Sequence, residues 1–144
     1  MKIAVRRIIS DKELEDAFRI RHEVFVIGQN VDAEEEYDEF ETSSTHLIAH
    51  VDGEVVGTCR WRMTKLGIKL ERFAVLERFR GVGIGQALMK AALESIAADR
   101  EANGRTLYLH AQLAAAPLYE KFGFQKEGQE FMECGIRHCL MKKN

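Results

Sequence analysis

Glu71-Arg72-Phe73-Ala74-Val75-Leu76-Glu77-Arg78-Phe79-Arg80-Gly81-Val82-Gly83-Ile84-Gly85-Gln86-Ala87-Leu88 decides how this chain is read. An apolar, strand-like run enters a short charged turn, then a glycine-rich segment, then a helix. This order leaves several backbone N–H groups free at a helix N-terminus, where an anion gains hydrogen bonds and meets the positive end of the dipole. Alternating glycines remove the side chains that would hold a phosphate at a distance. Arg80 adds a fixed positive charge at the rim. The stretch predicts a strand–loop–helix unit with a phosphate-bearing guest.

What the loop lacks narrows the guest. No Gly-Lys-Ser/Thr follows it, so the lysine and metal-binding hydroxyl of a nucleotide-hydrolysing P-loop are missing. Gly81, Gly83 and Gly85 open with the dinucleotide-fingerprint spacing, but the third required glycine falls on Gln86 or Leu88. Arg80-x-x-Gly83-x-Gly85, directly after a strand ending Phe73-Ala74-Val75, resembles the coenzyme A pyrophosphate loop of the GNAT superfamily of N-acetyltransferases. A second stretch, Gln112-x-x-Ala115-x-x-Leu118-Tyr119-x-x-x-Gly123-Phe124, is similar to the family's Asn-x-x-Ala-x-x-Leu/Phe-Tyr-x-x-x-Gly-Phe pattern, with Gln112 in place of asparagine. Arg21-x-x-Val24-Phe25-Val26 with Gln29, and Gly128-x-x-Phe131-x-Glu133-x-Gly135-Ile136-x-His138, resemble its YjcF-like, ElaA-related branch. The resemblance runs over nearly the whole chain.

Composition sets the background. Hydrophobic residues make up 46% and charged residues 31% of 144 positions, ordinary values for a soluble globular chain. That length suits one domain, residues 1–144, able to bury a core without staples. A net charge of −2 gives no electrostatic reason to expect nucleic acid or an anionic membrane as partner. Cys59, Cys134 and Cys139 are odd in number, lack metal-ligand spacing and follow no secretory signal, so a cytoplasmic setting and no metal are expected. No apolar run reaches the length of a membrane span.

Periodicity predicts the element order β, α, β, β, β, α, β, α, β, β. A first strand covers residues 2–9, and Ser10 and Asp11 offer a helix N-cap. Leu14, Ala17, Phe18, Val24 and Phe25 recur at helical spacing from 11 to about 26, and Gly28 stops that helix. Residues 29–44 are acidic and lack a sustained apolar period, which predicts a long mobile loop with a helical turn and a solvated face. Strands at 45–51 and 54–63 flank Asp52-Gly53, a hairpin signal. A strand at 68–75 leads through the glycine loop to a helix at 83–99, with Ile84, Leu88, Ala91, Ala92, Ser95 and Ile96 facing inward. A short strand at 106–110 precedes a helix whose first turn Pro117 confines to 113–117. Strands at 124–133 and 136–142 close the chain.

The resemblance implies an α/β domain of the GNAT, or acyl-CoA N-acyltransferase, fold, with a mixed central sheet flanked by helices. Strands 68–75 and 106–110 would lie parallel, joined by a right-handed crossover, and would splay to hold pantetheine. It implies acetyl-CoA as cosubstrate, bound by the backbone of Phe73, Ala74 and Val75, by Arg80, Gly81, Val82, Gly83, Ile84 and Gly85, and by Gln112 and Tyr119. The activity implied is acetyl transfer to a primary amine, small or on a peptide, by direct attack in a ternary complex. Tyr119 would protonate the departing thiolate.

Glu71, on the same strand parity as Phe73 and Val75, is a candidate base for the amine, or else a strand-end carboxylate paired with Arg72 or Lys69. His110 is the second candidate base. Arg21 interrupts an apolar stripe and is expected to pair with the acidic loop. Cys59 and Cys134 are expected to be inert. His138 has no assigned role, and oligomeric state stays open, a homodimer included. The competing reading is a non-catalytic module that senses acyl-CoA; a nucleotide-binding regulator lacks its P-loop lysine. The acidic loop leans toward a cationic acceptor, and Arg21 toward an acidic one.

Overall fold

A computed structural model describes every residue from Met1 to Asn144. Its strands are β1 (Ile3–Arg7), β2 (Thr45–Val51), β3 (Glu54–Thr64), β4 (Gly67–Val75), β5 (Leu107–Gln112), β6 (Gln125–Glu133) and β7 (Ile136–Lys143). They form one seven-stranded sheet in the order β1-β2-β3-β4-β5-β7-β6. Neighbours are antiparallel except β4 and β5, which are parallel. The last strand therefore inserts between β5 and β6, which local patterning does not reveal. The expected hairpin at Asp52-Gly53 forms with φ of 48° and 88°, the paired left-handed geometry a two-residue turn requires.

Helix α1 (Asp11–Arg21) starts on a capping arrangement. Ser10 accepts from the Glu13 amide at 3.2 Å, and Glu13 Oε1 accepts from the Ile9 amide at 3.2 Å. The helix does not run as α-helix to Val26. Residues His22–Ile27 are wound as a π-helix, and this wider turn carries Val24, Phe25 and Gln29 to a cavity wall. A short helix α2 (Ala33–Glu36) lies in the acidic segment.

Helix α3 (Ile84–Ala98) lies on one face of the sheet, where Ile84, Leu88, Met89, Ala92 and Ile96 bury against Leu47, Trp61, Ile68 and Leu70. Burying a large apolar side chain of this kind contributes about 1.5–3 kcal/mol. Met89 was not among the expected inward positions, and Ser95 earns its place by accepting from Trp61 Nε1 at 3.2 Å. Helix α4 (Ala116–Glu120) carries Pro117 in its first turn, as its missing N–H demands. On the other face Ile20 and Val24 pack on Ala74 and Leu76.

Leu70 and Ala74 share a parity yet face opposite sides, because β4 contains a bulge. Arg72 adopts φ 59°, and the β3–β4 register shifts between Thr58 and Arg60. The expected shared face of Glu71 and Phe73 is therefore corrected. Phe73 packs edge-on against Tyr119 on the α3 and α4 side, while Glu71 meets Arg60 and Arg62.

Candidate active site

The parallel strands β4 and β5 pair only at Ile68↔Leu107 and Lys69↔Tyr108. Beyond those two positions they separate, although β4 stays paired with β3 and β5 with β7. The facing edges thus carry backbone donors and acceptors with no strand partner, groups that require satisfaction when covered. A cavity of about 540 Å³ occupies this opening. Its wall includes Phe73, Val75, Arg80, Gly81, Gly83, Ile84 and Gly85 at one end, and Glu36, Glu71, His110, Glu133 and His138 at the other.

At the first end α3 begins without a side-chain cap and with no acidic residue in its first turn. Its leading N–H groups and the positive end of its dipole are uncompensated, as an anion site needs. Gly81 and Gly83 have φ of 81° and 94°, and a Cβ on either would meet no atom within 4 Å. The glycines are needed for left-handed backbone, and the space before them is open. Gly85 differs from that expectation, because it is already helical and a Cβ there would lie 3.3 Å from Leu118. Arg80 Nε donates to the Val75 carbonyl at 2.9 Å, which pins the loop to the end of β4. Val82 points outward, 45% exposed, and the Ala74 side chain packs away from the cavity, leaving only their backbone to a ligand.

Tyr119 is 7% exposed, in the cavity wall, with its ring edge-on to Phe73 and Phe124. Burial raises its phenol above the ordinary value, with a further push from Cys59, so the hydroxyl stays neutral and a donor. Gln112 exchanges two hydrogen bonds with Gln29, at 3.1 and 2.9 Å, clamping the end of β5 to the end of the first helix. The Gln112 amide, expected to contact the cosubstrate, is thus engaged with a residue 83 positions away.

Glu71 was expected as a base, yet its carboxylate is crowded by cations. Oε2 accepts from Arg60 Nε at 2.8 Å and Arg62 Nε at 2.7 Å, and Lys69 Nζ lies 3.3 Å from Oε1. Burial alone would raise this carboxyl, but Arg60, Arg62 and Lys69 together hold it below the usual range. A carboxylate so arranged gives up its affinity for protons.

The acidic segment is not the solvated loop that its composition predicts. Arg21, 1% exposed, donates to Glu36 Oε1 at 2.8 Å and to both oxygens of Glu41 at 2.8 and 2.7 Å. Arg60 donates to Asp38 and Glu41, and Arg72 reaches Asp38 at 3.1 Å. Burial pushes the Asp38 carboxyl up, but the Arg60 hydrogen bonds, the Phe40 amide and the Arg60 and Arg72 charges bring it down to about 2. Buried arginines require such partners, and breaking one pair is strongly destabilising.

Sequence reasoning missed two further features of the wall. His110 Nδ1 lies 3.1 Å from Glu133 Oε1, and His138 Nε2 lies 3.6 Å from Glu133 Oε2. Hydrogen bonding to His110, against burial, holds the Glu133 carboxyl low. His138 Nδ1 donates to the Ile136 carbonyl at 2.7 Å and its ring stacks on Phe131. The motif spacing that holds Glu133 and His138 was the available signal. Cys134, expected to be an inert turn residue, is also in the wall. Its thiol donates to Glu35 at 3.0 Å, and that bond with burial pushes it up to about 11, so it is protonated near neutrality.

A family model described as an acetyltransferase (GNAT) domain matches residues 9–144. The chain is 45% identical over 136 residues to a Bacillus subtilis protein named an uncharacterized N-acetyltransferase, YjcF, covering 94% of this chain and 95% of that one. The crystal structure of Escherichia coli ElaA superposes with a TM-score of 0.87 at 25% identity, covering 99% of this chain and 100% of that one. A GNAT family acetyltransferase from Elizabethkingia anophelis, solved with acetyl-CoA bound, has the same fold at a TM-score of 0.71 and 18% identity, covering 97% and 96%. With the parted strands, the uncapped glycine-loop helix and a match over nearly its whole length, the chain belongs to the GNAT acetyltransferase family.

Proposed function

We propose that this protein is an acetyl-CoA-dependent N-acetyltransferase that acts on a primary amine by direct attack in a ternary complex. One observation carries the reading: β4 and β5 part after two register pairs, and the uncapped N-terminus of α3 stands at the end of that opening. A relative of the same fold holds acetyl-CoA, which supports the same cosubstrate here. The open space before Gly81 and Gly83 fits a pyrophosphate, with Arg80, Val82, Ile84 and Gly85 completing the loop.

When bound, acetyl-CoA supplies an activated acetyl group and a thiolate leaving group. Backbone groups of Phe73, Ala74 and Val75 on the free edge of β4 bind pantetheine and polarise the thioester carbonyl. Tyr119 donates a hydrogen bond to the sulfur as the C–S bond breaks and the C–N bond forms. Its raised proton affinity makes stabilisation by that bond, rather than complete early transfer, its contribution. The amine must also lose a proton. Glu71, held low by three cations, serves best by fixing Arg60 and Arg62, whereas His110, oriented by Glu133, leaves its second ring nitrogen to take the proton. The protonated thiol of Cys134 favours direct attack over a covalent acyl-enzyme.

The ion-paired Glu71 also favours a second reading, an acyl-CoA sensor without turnover. A panel of primary amines with acetyl-CoA, followed by release of free thiol, separates the two. The expected result is amine-dependent thiol release with kinetics requiring both substrates together. Tight acetyl-CoA binding with no release across the panel would make the protein a sensor.

A further inference from the structure

Gln29 and Gln112 both line the cavity, and their side-chain amides meet head to tail. Gln29 Nε2 donates to Gln112 Oε1 at 3.1 Å, and Gln112 Nε2 donates to Gln29 Oε1 at 2.9 Å. This exchange uses one N–H and one lone pair of each amide, so each keeps a second donor and a second acceptor site. Neither amide bonds any other group of the protein. Gln112 ends β5, beyond the point where β4 has parted from it and while β7 still pairs on its other side. An amide with an unspent donor therefore stands in the wall of an opening edged by unpaired strand backbone.

The chain path around Gln29 is shaped to aim it. The π-wound turn closes with the Gly28 amide donating to the Glu23 carbonyl, and a Cβ on Gly28 would stand only 3.2 Å from that oxygen. Asn30, directly after Gln29, has φ of 58°, left-handed backbone that asparagine tolerates better than most residues. The Val31 amide then donates back to the Phe25 carbonyl at 2.9 Å. Irregular backbone of this kind gathers at ligand sites, and here it brackets one polar side chain.

We propose that Gln29 is a positioning residue for the cosubstrate: it locks the Gln112 amide so that the spare N–H and spare lone pair of Gln112 meet an amide of pantetheine. The proposal rests on the acetyl-CoA reading of the cavity and adds to it a residue from the end of the first helix. Pantetheine carries two amides, and each leaves water on entering the opening and needs a partner there. A long glutamine side chain that its ligand must first order binds more weakly than one already held. Gln29 does that ordering in advance.

Gln29→Met tests the role, since methionine matches the length and removes the amide. Calorimetry compares acetyl-CoA with the nucleotide half of coenzyme A, which keeps the pyrophosphate and lacks pantetheine. Gln29→Met should weaken acetyl-CoA binding about fivefold, the loss of one ordinary hydrogen bond, and leave the nucleotide half unchanged. Gln112→Met should weaken acetyl-CoA about tenfold, and the double variant should be no worse, because Gln29 acts only through its partner. Gln29→Glu retains an acceptor for Gln112 Nε2 and should recover part of the affinity, including where the methionine variant folds poorly.

Equal loss for both ligands would make Gln29 a structural strut and overturn the proposal. Unchanged acetyl-CoA affinity in a folded Gln29→Met, or losses that add in the double variant, would overturn it too. In those cases the acetyl-CoA reading stands on wild-type binding. A wild type that binds both ligands equally gains nothing from pantetheine, which removes the role of Gln29 and leaves the loop. A wild type that binds neither removes the acetyl-CoA reading and the positioning role together.

Discussion

The two ends of the cavity are made of different material. The end around residues 75–88 is mostly backbone: free N–H groups at the start of α3, left-handed glycines and the unpaired edge of β4. The end around residues 32–44 is made of side chains, with Arg21, Arg60 and Arg72 from three separate elements gripping Glu36, Asp38 and Glu41. A site of backbone groups needs a particular local chain path, and local chain path is what glycine spacing encodes. A site of side chains needs elements to meet, and nothing local records where they will.

Replacing Arg60 with methionine should break the side-chain end most severely. Asp38, Glu41 and Glu71 would lose a shared partner, and breaking buried pairs of this kind costs about 3–5 kcal/mol. Urea denaturation should register that loss while acetyl-CoA affinity changes little. A stable variant with weakened acetyl-CoA binding would contradict the division into two ends. The same network sets an acid dependence. Asp38 has a depressed folded pKa, so its stabilisation is present above about pH 4 and is lost as pH falls toward 2. The Glu36 carboxyl is raised and runs the opposite way, its protonation on acidification relieving a cost. The wild type should therefore lose more stability than Arg60→Met between about pH 5 and 2.

Gly83→Val attacks the other end. No atom would obstruct the new Cβ, so the fold should persist, but a β-branched residue at φ 94° carries strain of about 1–3 kcal/mol and projects into the space before the helix. Calorimetry should find acetyl-CoA affinity lower by about a hundredfold or more, with urea stability reduced by no more than that strain of about 1–3 kcal/mol. Unchanged affinity in a folded variant would remove the loop from the binding site.

Tyr119→Phe tests the meeting of the two ends. It keeps the ring against Phe73 and Phe124 and removes only the hydroxyl. Turnover should fall on the order of a hundredfold, with acetyl-CoA affinity nearly constant. A drop in affinity or melting temperature with turnover intact would make Tyr119 a packing residue.

Arg80→Ala should have the smallest effect, a several-fold loss of acetyl-CoA affinity. The loss should be larger at low ionic strength than at high, because an exposed charge is screened by salt. A loss independent of salt would assign Arg80 to its bond with the Val75 carbonyl instead.

Much of the fold was legible. Strand and helix order, the Asp52-Gly53 hairpin and the placement of Pro117 followed from period and turn chemistry. The bulge at Arg72 was not, because nothing in Glu71-Arg72-Phe73 marks a left-handed residue, and the assumed alternation put Glu71 on the wrong face. The π-wound turn at His22–Ile27 was equally hidden, since its apolar residues fit an α-helical period as well. Acidic composition suggested solvent for residues that in fact answer buried arginines.

By itself the sequence determined the backbone end of the cavity, from the strand before Arg80 through the glycines to α3, because each feature there follows from φ preferences and hydrogen-bond needs of adjacent residues. Tertiary structure alone decided the rest. It placed β7 between β5 and β6, joined Gln29 to Gln112, set Glu133 between His110 and His138, and left Glu36 Oε2 without a partner. Most of those arrangements join residues far apart in the chain, and their strength depends on burial and charge that exist only once the sheet has closed.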